Sequence, residues 1–137
     1  MIGLDTNVLV RYVMRDDPVQ TGVADRVMSR LTAREPGYVS LVVLVELWWV
    51  LSRSYRRRAA ESAALFAELV TTDELRIEAP ATVERALARV GDGADFADAL
   101  IAEVAARAGC QTVVTFDQSA AAHTGMTAAH AWTEETT

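Results

Sequence analysis

Apolar and polar positions along the chain fall into short runs that switch between two periods. Ile2 and Leu4, beside small Gly3, make a brief apolar run that stops at Asp5. Such a run predicts a buried strand whose last residue emerges at a sheet edge. Thr6 and Asn7 can cap the next segment, where Val8, Leu9, Tyr12 and Val13 recur at helical spacing. Asp17-Pro18 is a second helix start, a cap followed by proline in the first turn. Val19, Val23, Val27 and Leu31 then keep an i, i+4 spacing, with Arg26, Arg30 and Arg34 in line on another face. Pro36-Gly37 breaks that helix, Tyr38-Val39 read as a short strand, and Ser40 as a cap. Residues 41–51, LVVLVELWWVL, are apolar on every side, which predicts a helix that is buried or covered by a partner.

The pattern continues with an amphipathic helix over Ala59–Val70, with Leu65, Phe66 and Leu69 inward, and a strand at residues 75–78. Pro80 starts another helix, with Val83, Leu87 and Val90 inward, and Gly91-Asp92-Gly93 ends it. Residues 94–109 make a further helix with Leu100, Ile101, Val104 and Ala108 as its apolar stripe, stopped by Gly109. Residues 112–115 form a strand that ends, like the first, at a carboxylate, here Asp117 after Phe116. Residues 127–132 add an edge strand, and 134–137 a frayed tail. Strands alternating with helices predict an α/β fold, one domain over residues 1–133, with a mostly parallel central sheet of about five strands flanked by helices on both faces.

The chain length of 137 residues suits one domain with a real core. With 51% hydrophobic and 23% charged residues it reads as globular. The net charge of −6 argues against a broad surface that grips phosphates directly, because nucleic-acid binders are usually basic. A protein that holds phosphates through bound cations is still compatible with it. All 13 basic residues are arginine, which removes Schiff-base chemistry and a P-loop. The single Cys110 forms no internal disulfide and suits a reducing compartment. Asp5 interrupts any secretory h-region, and the 41–51 run is too short for a bilayer, so a cytoplasmic protein is expected. His123 and His130 have no partner spacing that suggests ligation.

The carboxylates carry the candidate chemistry. Asp5 is either a plain helix cap or a ligand-binding group beyond the carboxyl end of a strand. Glu46 interrupts an otherwise apolar helix, and a buried unpaired carboxylate costs several kcal/mol, so a cation, a proton or an arginine should accompany it. Asp95 and Asp98 are three apart and share a helical face near its first turn. Asp95 is the better candidate for a cap. Asp117 would join Asp5 at one sheet edge if their strands are parallel neighbours. Carboxylates gathered in one hollow repel one another, and a divalent cation removes that cost. Oxygen-only donors point to Mg²⁺ or Mn²⁺.

D-T-N after the first strand, a lone Glu in an apolar helix, D-F-A-D-A-L-I-A and T-F-D after a late strand resemble the PIN-domain ribonucleases, from Met1 to about Asp117. Size and N-terminal start further resemble the toxin branch, the VapC component of VapBC toxin–antitoxin pairs. The resemblance implies Mg²⁺- or Mn²⁺-dependent cleavage of RNA phosphodiester bonds by water. Asp5, Glu46, Asp98 and Asp117 match the family's acidic quartet, with Asp5 and Asp98 as direct metal ligands. Asp95 matches an acidic position found in some members, and Asn7 and Thr115 match polar residues that orient the carboxylates. It also implies a homodimer and an inhibitory VapB-type antitoxin. Arg11 and Arg15, then Arg53 and Arg56, Arg57 and Arg58, are the candidates to hold RNA. Two other readings compete: a PIN-like module that binds RNA or protein without cutting, and a phosphatase with Asp5 as nucleophile. The phosphatase is disfavoured by Asn7 in place of a second Asp and by the lack of lysine.

Overall fold

Four helix starts among the described residues are set by side chains that accept backbone N–H bonds, the groups a helix leaves unpaired at its first turn. The computed structural model describes residues 1–135, which hold five strands and eight helices. The chain divides into two units, Met1–Pro80 and Ala81–Thr137. The first contains β1 (Ile2–Gly3), α1 (Thr6–Met14), α2 (Pro18–Ser29), β2 (Gly37–Val39), α3 (Leu41–Arg53), α4 (Ala59–Val70) and β3 (Leu75–Ile77). Asp17 accepts the Gln20 N–H to start α2, and Ser40 accepts the Val43 N–H to start α3. The three strands run parallel in the order β1-β2-β3, with Gly3 opposite Tyr38 and Val39 opposite Ile77. Parallel neighbours require crossovers, and here each crossover is a helix pair. Leu9, Leu44, Leu47, Trp48 and Phe66 fill the core, with the Trp48 and Phe66 rings edge to face at 5.5 Å. The core presses against backbone at Gly37, where a Cβ would stand 2.7 Å from Leu4 Cδ1.

The second unit is entered through α5 (Pro80–Gly91) and holds α6 (Phe96–Arg107), β4 (Val114–Thr115), α7 (Gln118–Thr124), β5 (Thr127–Ala128) and α8 (Ala129–Glu135). β4 pairs in parallel with β5, Val114 opposite Thr127. Gly125 closes α7 at φ 78°, a left-handed cap that glycine takes without a Cβ penalty. Val83, Ala86, Phe96, Ala99 and Leu100 make this unit's core.

The fold is α/β with parallel strands, as the periodicity predicts, and the strands pair as a set of three and a set of two. The partner of β4 is β5, so the condition that would make the strands before Asp5 and Asp117 neighbours is not met among the described residues. Several local expectations are corrected. β1 is exposed at Ile2 and Gly3, and only Leu4 turns inward. Two residues are too few to build a two-sided buried strand. On α2 the buried residues are Thr21 and Ala24, while Val19 and Val23 face solvent. That helix ends at Ser29, so Arg30 is its cap and Arg34 lies beyond it. On α6 the inward face is Phe96, Ala99, Leu100 and Glu103, and Ile101 and Val104 are exposed. The expected edge strand at 127–132 is two residues of β5 followed by α8. Of the tail 134–137, Glu134 and Glu135 belong to α8, and 136–137 lie outside the described residues.

Candidate active site

Asp5 sits at the N-cap position of α1 with extended backbone (φ −80°, ψ 158°), yet its carboxylate makes no capping bond. Asp17, Ser40, Asp95 and Asp117 all cap with their side chains. The contrast bears on the two readings of Asp5: its carboxylate is not spent on closing the helix. The next residue, Thr6, is buried, and its hydroxyl donates to Glu46 Oε2 at 3.2 Å. This bond ties the first turn of α1 to α3. The neighbouring Asn7, expected to orient carboxylates, is exposed and lines a surface hollow of about 310 Å³ with Val8, Arg11 and Val23. Thr6, read from the sequence as a cap, is the residue of D-T-N whose hydroxyl reaches Glu46.

Glu46 is exposed, which corrects the expectation of a buried carboxylate. The cause is helical geometry. Leu44, Leu47, Trp48 and Leu51 form one buried stripe of α3, and Val42, Glu46 and Trp49 fall on the other side. Among the described residues the buried carboxylate is Glu103, whose side chain is only 10% exposed. It accepts from Arg89 Nε at 2.7 Å and Arg85 Nε at 3.2 Å, and these bonds hold its pKa below the usual carboxylate range, Arg89 first. Sequence reasoning passed over it. The available signal was Arg85 and Arg89, one turn apart on α5 and facing a single acid on α6.

In the second unit Asp95 caps α6, its Oδ2 accepting from the Asp98 N–H at 3.2 Å. Asp117 caps α7, its Oδ1 accepting from the Ala120 N–H at 3.0 Å. The Thr115 hydroxyl accepts from the Asp117 N–H at 3.0 Å, so Thr115 fixes the turn that presents Asp117. Asp98 is half-buried, and burial raises its pKa; the charges of Asp95 and then Asp117 push it further in the same direction. Asp98 therefore lies within reach of the fields of Asp95 and Asp117. Among the described residues no three His, Cys, Asp or Glu side chains are grouped to hold a metal ion. The donor chemistry still fits a hard divalent cation: oxygen ligands alone, with one carboxylate that carries its charge at a cost.

The arginines proposed for RNA are largely engaged. Arg11 bonds to Asp16 Oδ1 (3.0 Å), Gln20 Oε1 (2.6 Å) and Tyr55 Oη (3.3 Å). Arg15 meets Asp25 through two bonds, 2.9 and 2.7 Å. Arg57 and Arg58 both pair with Glu61, at 3.4 and 2.8 Å. Arg53 lies over the Trp49 ring, 3.7 Å from its centroid. Arg56 is exposed in the left-handed region, φ 51°.

Among the described residues no helix is long and apolar enough to cross a membrane. The family described as PIN domain matches residues 2–125. No curated protein matches the chain.

Proposed function

Because the chain belongs to the PIN-domain family, whose members are generally nucleases and typically use divalent metal ions, we propose that it is a Mg²⁺- or Mn²⁺-dependent endoribonuclease and the toxin of a type II toxin–antitoxin pair. The residues assigned to the chemistry are Asp5, Glu46, Asp98 and Asp117, with Asp95 and Thr115 in support. The observation that carries this reading is Asp98, a half-buried carboxylate whose charge is opposed by burial and by Asp95 and Asp117. A carboxylate opposed in that way is a liability, and a cation beside it would relieve the cost. When bound, the ion supplies positive charge against the phosphodiester and lowers the pKa of the attacking water.

This chain's own residues do the rest. Asp5, with its carboxylate uncommitted to capping, and Asp98 supply ligand oxygens. Thr6 holds Glu46 through its hydroxyl, and Thr115 holds the Asp117 turn. The family match runs across both units, which supports reading them as one domain. The exposed Val42 and Trp49 of α3 support a protein partner there, an antitoxin or a second copy. A cytoplasmic location agrees with the single, exposed, unpaired Cys110.

Incubation of the purified protein with RNA and Mn²⁺, beside Asp5→Asn and Asp98→Asn variants and an EDTA control, tests the reading. Cleavage by the native chain alone, abolished by EDTA, is the expected result. Equal cleavage by the variants, or none by any sample in Mg²⁺ or Mn²⁺, overturns it.

A further inference from the structure

We propose that the cavity of about 140 Å³ between α5, α6 and the C-terminal end of α7 is a binding site for a phosphate monoester, with Arg89 and Gln111 as its recognition groups. The site lies apart from the assigned carboxylates, and its chemistry does not depend on whether the chain cuts RNA.

The Glu103 ion pair leaves half of Arg89 unspent. Its Nε donates to Glu103 Oε1 at 2.7 Å, while Nη1 and Nη2 have no partner among the described residues. Arg85 differs: its Nε also meets Glu103, and its Nη2 donates to Thr82 at 3.4 Å. Two guanidinium groups therefore share one carboxylate, and one positive charge is left over. That surplus stands out, because Arg85, Arg89 and Arg107 are the only arginines after Pro80 in a chain of net charge −6. Glu103 fixes Arg89 without neutralising the cluster. The free end is placed as well: Nη1 lies 3.8 Å from where a Cβ on Gly125 would stand, and both residues line the cavity.

The walls select the ligand. Exposed Cys110 and Gln111 and half-buried Thr112 complete the polar side, alanine, valine and methionine make most of the rest, and no lining residue is acidic. The Gln111 amide has no partner among the described residues and is free to donate. The volume is many times what one water needs, so a group with several oxygens fills it better than a bare ion. A guanidinium edge offers two parallel N–H bonds, which match two oxygens of a carboxylate or a phosphate. A carboxylate has no further oxygen to give. A phosphate monoester has a third for Gln111, and its dianion suits a surplus cation with no acid in the wall. An internal phosphodiester carries chain on both sides and suits a groove; a monoester carries it on one side and suits a cavity. Position favours an anion too. Asp117 caps one end of α7 and Gly125 closes the other, about 10 Å away along the helix, so that carboxylate is held off. Two sources carry such a group, the phosphorylated end of an RNA and a free mononucleotide.

Binding is measured in EDTA, so that no cleavage intervenes. The probes are inorganic phosphate, adenosine 5′-monophosphate beside adenosine, and one short 3′-fluorescein-labelled single-stranded RNA bearing a 5′-phosphate or a 5′-hydroxyl. Calorimetry reads the small probes and fluorescence polarisation the RNA. The native chain should bind adenosine monophosphate about tenfold or more tighter than adenosine, the scale of charge-assisted hydrogen bonds, and inorganic phosphate should compete. Gln111→Glu alters one exposed side chain and puts a carboxylate in the wall; it should abolish this preference and leave Tm unchanged. Arg89→Lys keeps a charge for Glu103 but loses the two-donor edge, and should lose the preference as well. An RNA tightened about tenfold by its 5′-phosphate through the same two residues assigns the site to an RNA end. Two RNAs bound alike, with adenosine monophosphate still preferred, assign it to a free nucleotide. No phosphate-dependent binding by the native chain, or a preference that survives Gln111→Glu, overturns the proposal. A chain that cleaves RNA but shows no such preference keeps the nuclease reading and loses this site, and a preference without cleavage does the reverse.

Discussion

Under the proposed function, Asp98 links stability to activity at a single side chain. A carboxyl with a raised pKa binds its proton more tightly folded than unfolded. Stability is therefore lost as pH rises from the ordinary carboxylate range through the raised value, and the cost is complete at neutral pH. Asp98→Asn removes the charge and should raise Tm at pH 7 while abolishing cleavage; below the carboxylate range the gain should vanish. A thermal melt at the two pH values checks this. Adding Mn²⁺ should raise the Tm of the native chain and leave that of Asp98→Asn nearly unmoved. Glu103 has the opposite sign. Its lowered pKa gives stability that is present above the unfolded value and disappears as pH falls through the folded one. With Arg85 and Arg89 about half exposed, screening limits the pair, so Glu103→Gln should cost about 1–2 kcal/mol at neutral pH and nothing in strong acid, read by urea unfolding. The D-x-x-D spacing made Asp98 legible in the sequence. Glu103 was not, because its arginine partners are 14 and 18 residues away and only the fold brings them to it.

Helices were read well where a cap or a clean stripe marked them. Asp17-Pro18 starts α2, Ser40 starts α3, and α4 spans the residues its pattern predicts. Faces were harder. On α3 nearly every position is apolar, so the sequence alone did not show which side the core takes. On α6 the alanines blur the stripe, and a paired glutamate takes an inward position. The strands are two or three residues long, too short for alternation to be decisive. The adjacent tryptophans of α3 test the face assignment directly. Trp48 is buried against Phe66, while Trp49 is 49% exposed beneath Arg53. Trp48→Ala should cost about 3–5 kcal/mol, as large core truncations do. Trp49→Ala should cost less than about 1 kcal/mol in denaturant unfolding of the isolated protein. Equal losses would mean that α3 is covered on both sides in solution.

For the whole molecule, the question is how an acidic chain holds a polyanion. Net charge was legible at once, but how the charges pair was not, since pairing depends on geometry. Arg11, Arg15, Arg57 and Arg58 each face a carboxylate, so as folded they offer phosphates less than their number suggests. Glu61 matters most here, because it accepts from two arginines next to exposed Arg56. Under the proposed function, RNA would compete with that carboxylate for Arg57 and Arg58. These ion pairs are exposed and worth little to stability, so their loss should leave Tm nearly unchanged. Glu61→Gln should therefore free both guanidinium groups, tighten RNA binding and steepen its salt dependence. Each phosphate newly neutralised on a single strand adds about 0.7 to the slope of log K against log salt, so two give about 1.4. Arg56→Ala should flatten the native slope by about 0.7 on the same scale. A KCl titration of RNA binding by fluorescence polarisation reads all three proteins. A slope indifferent to Glu61→Gln would place the path of the RNA away from Arg57 and Arg58.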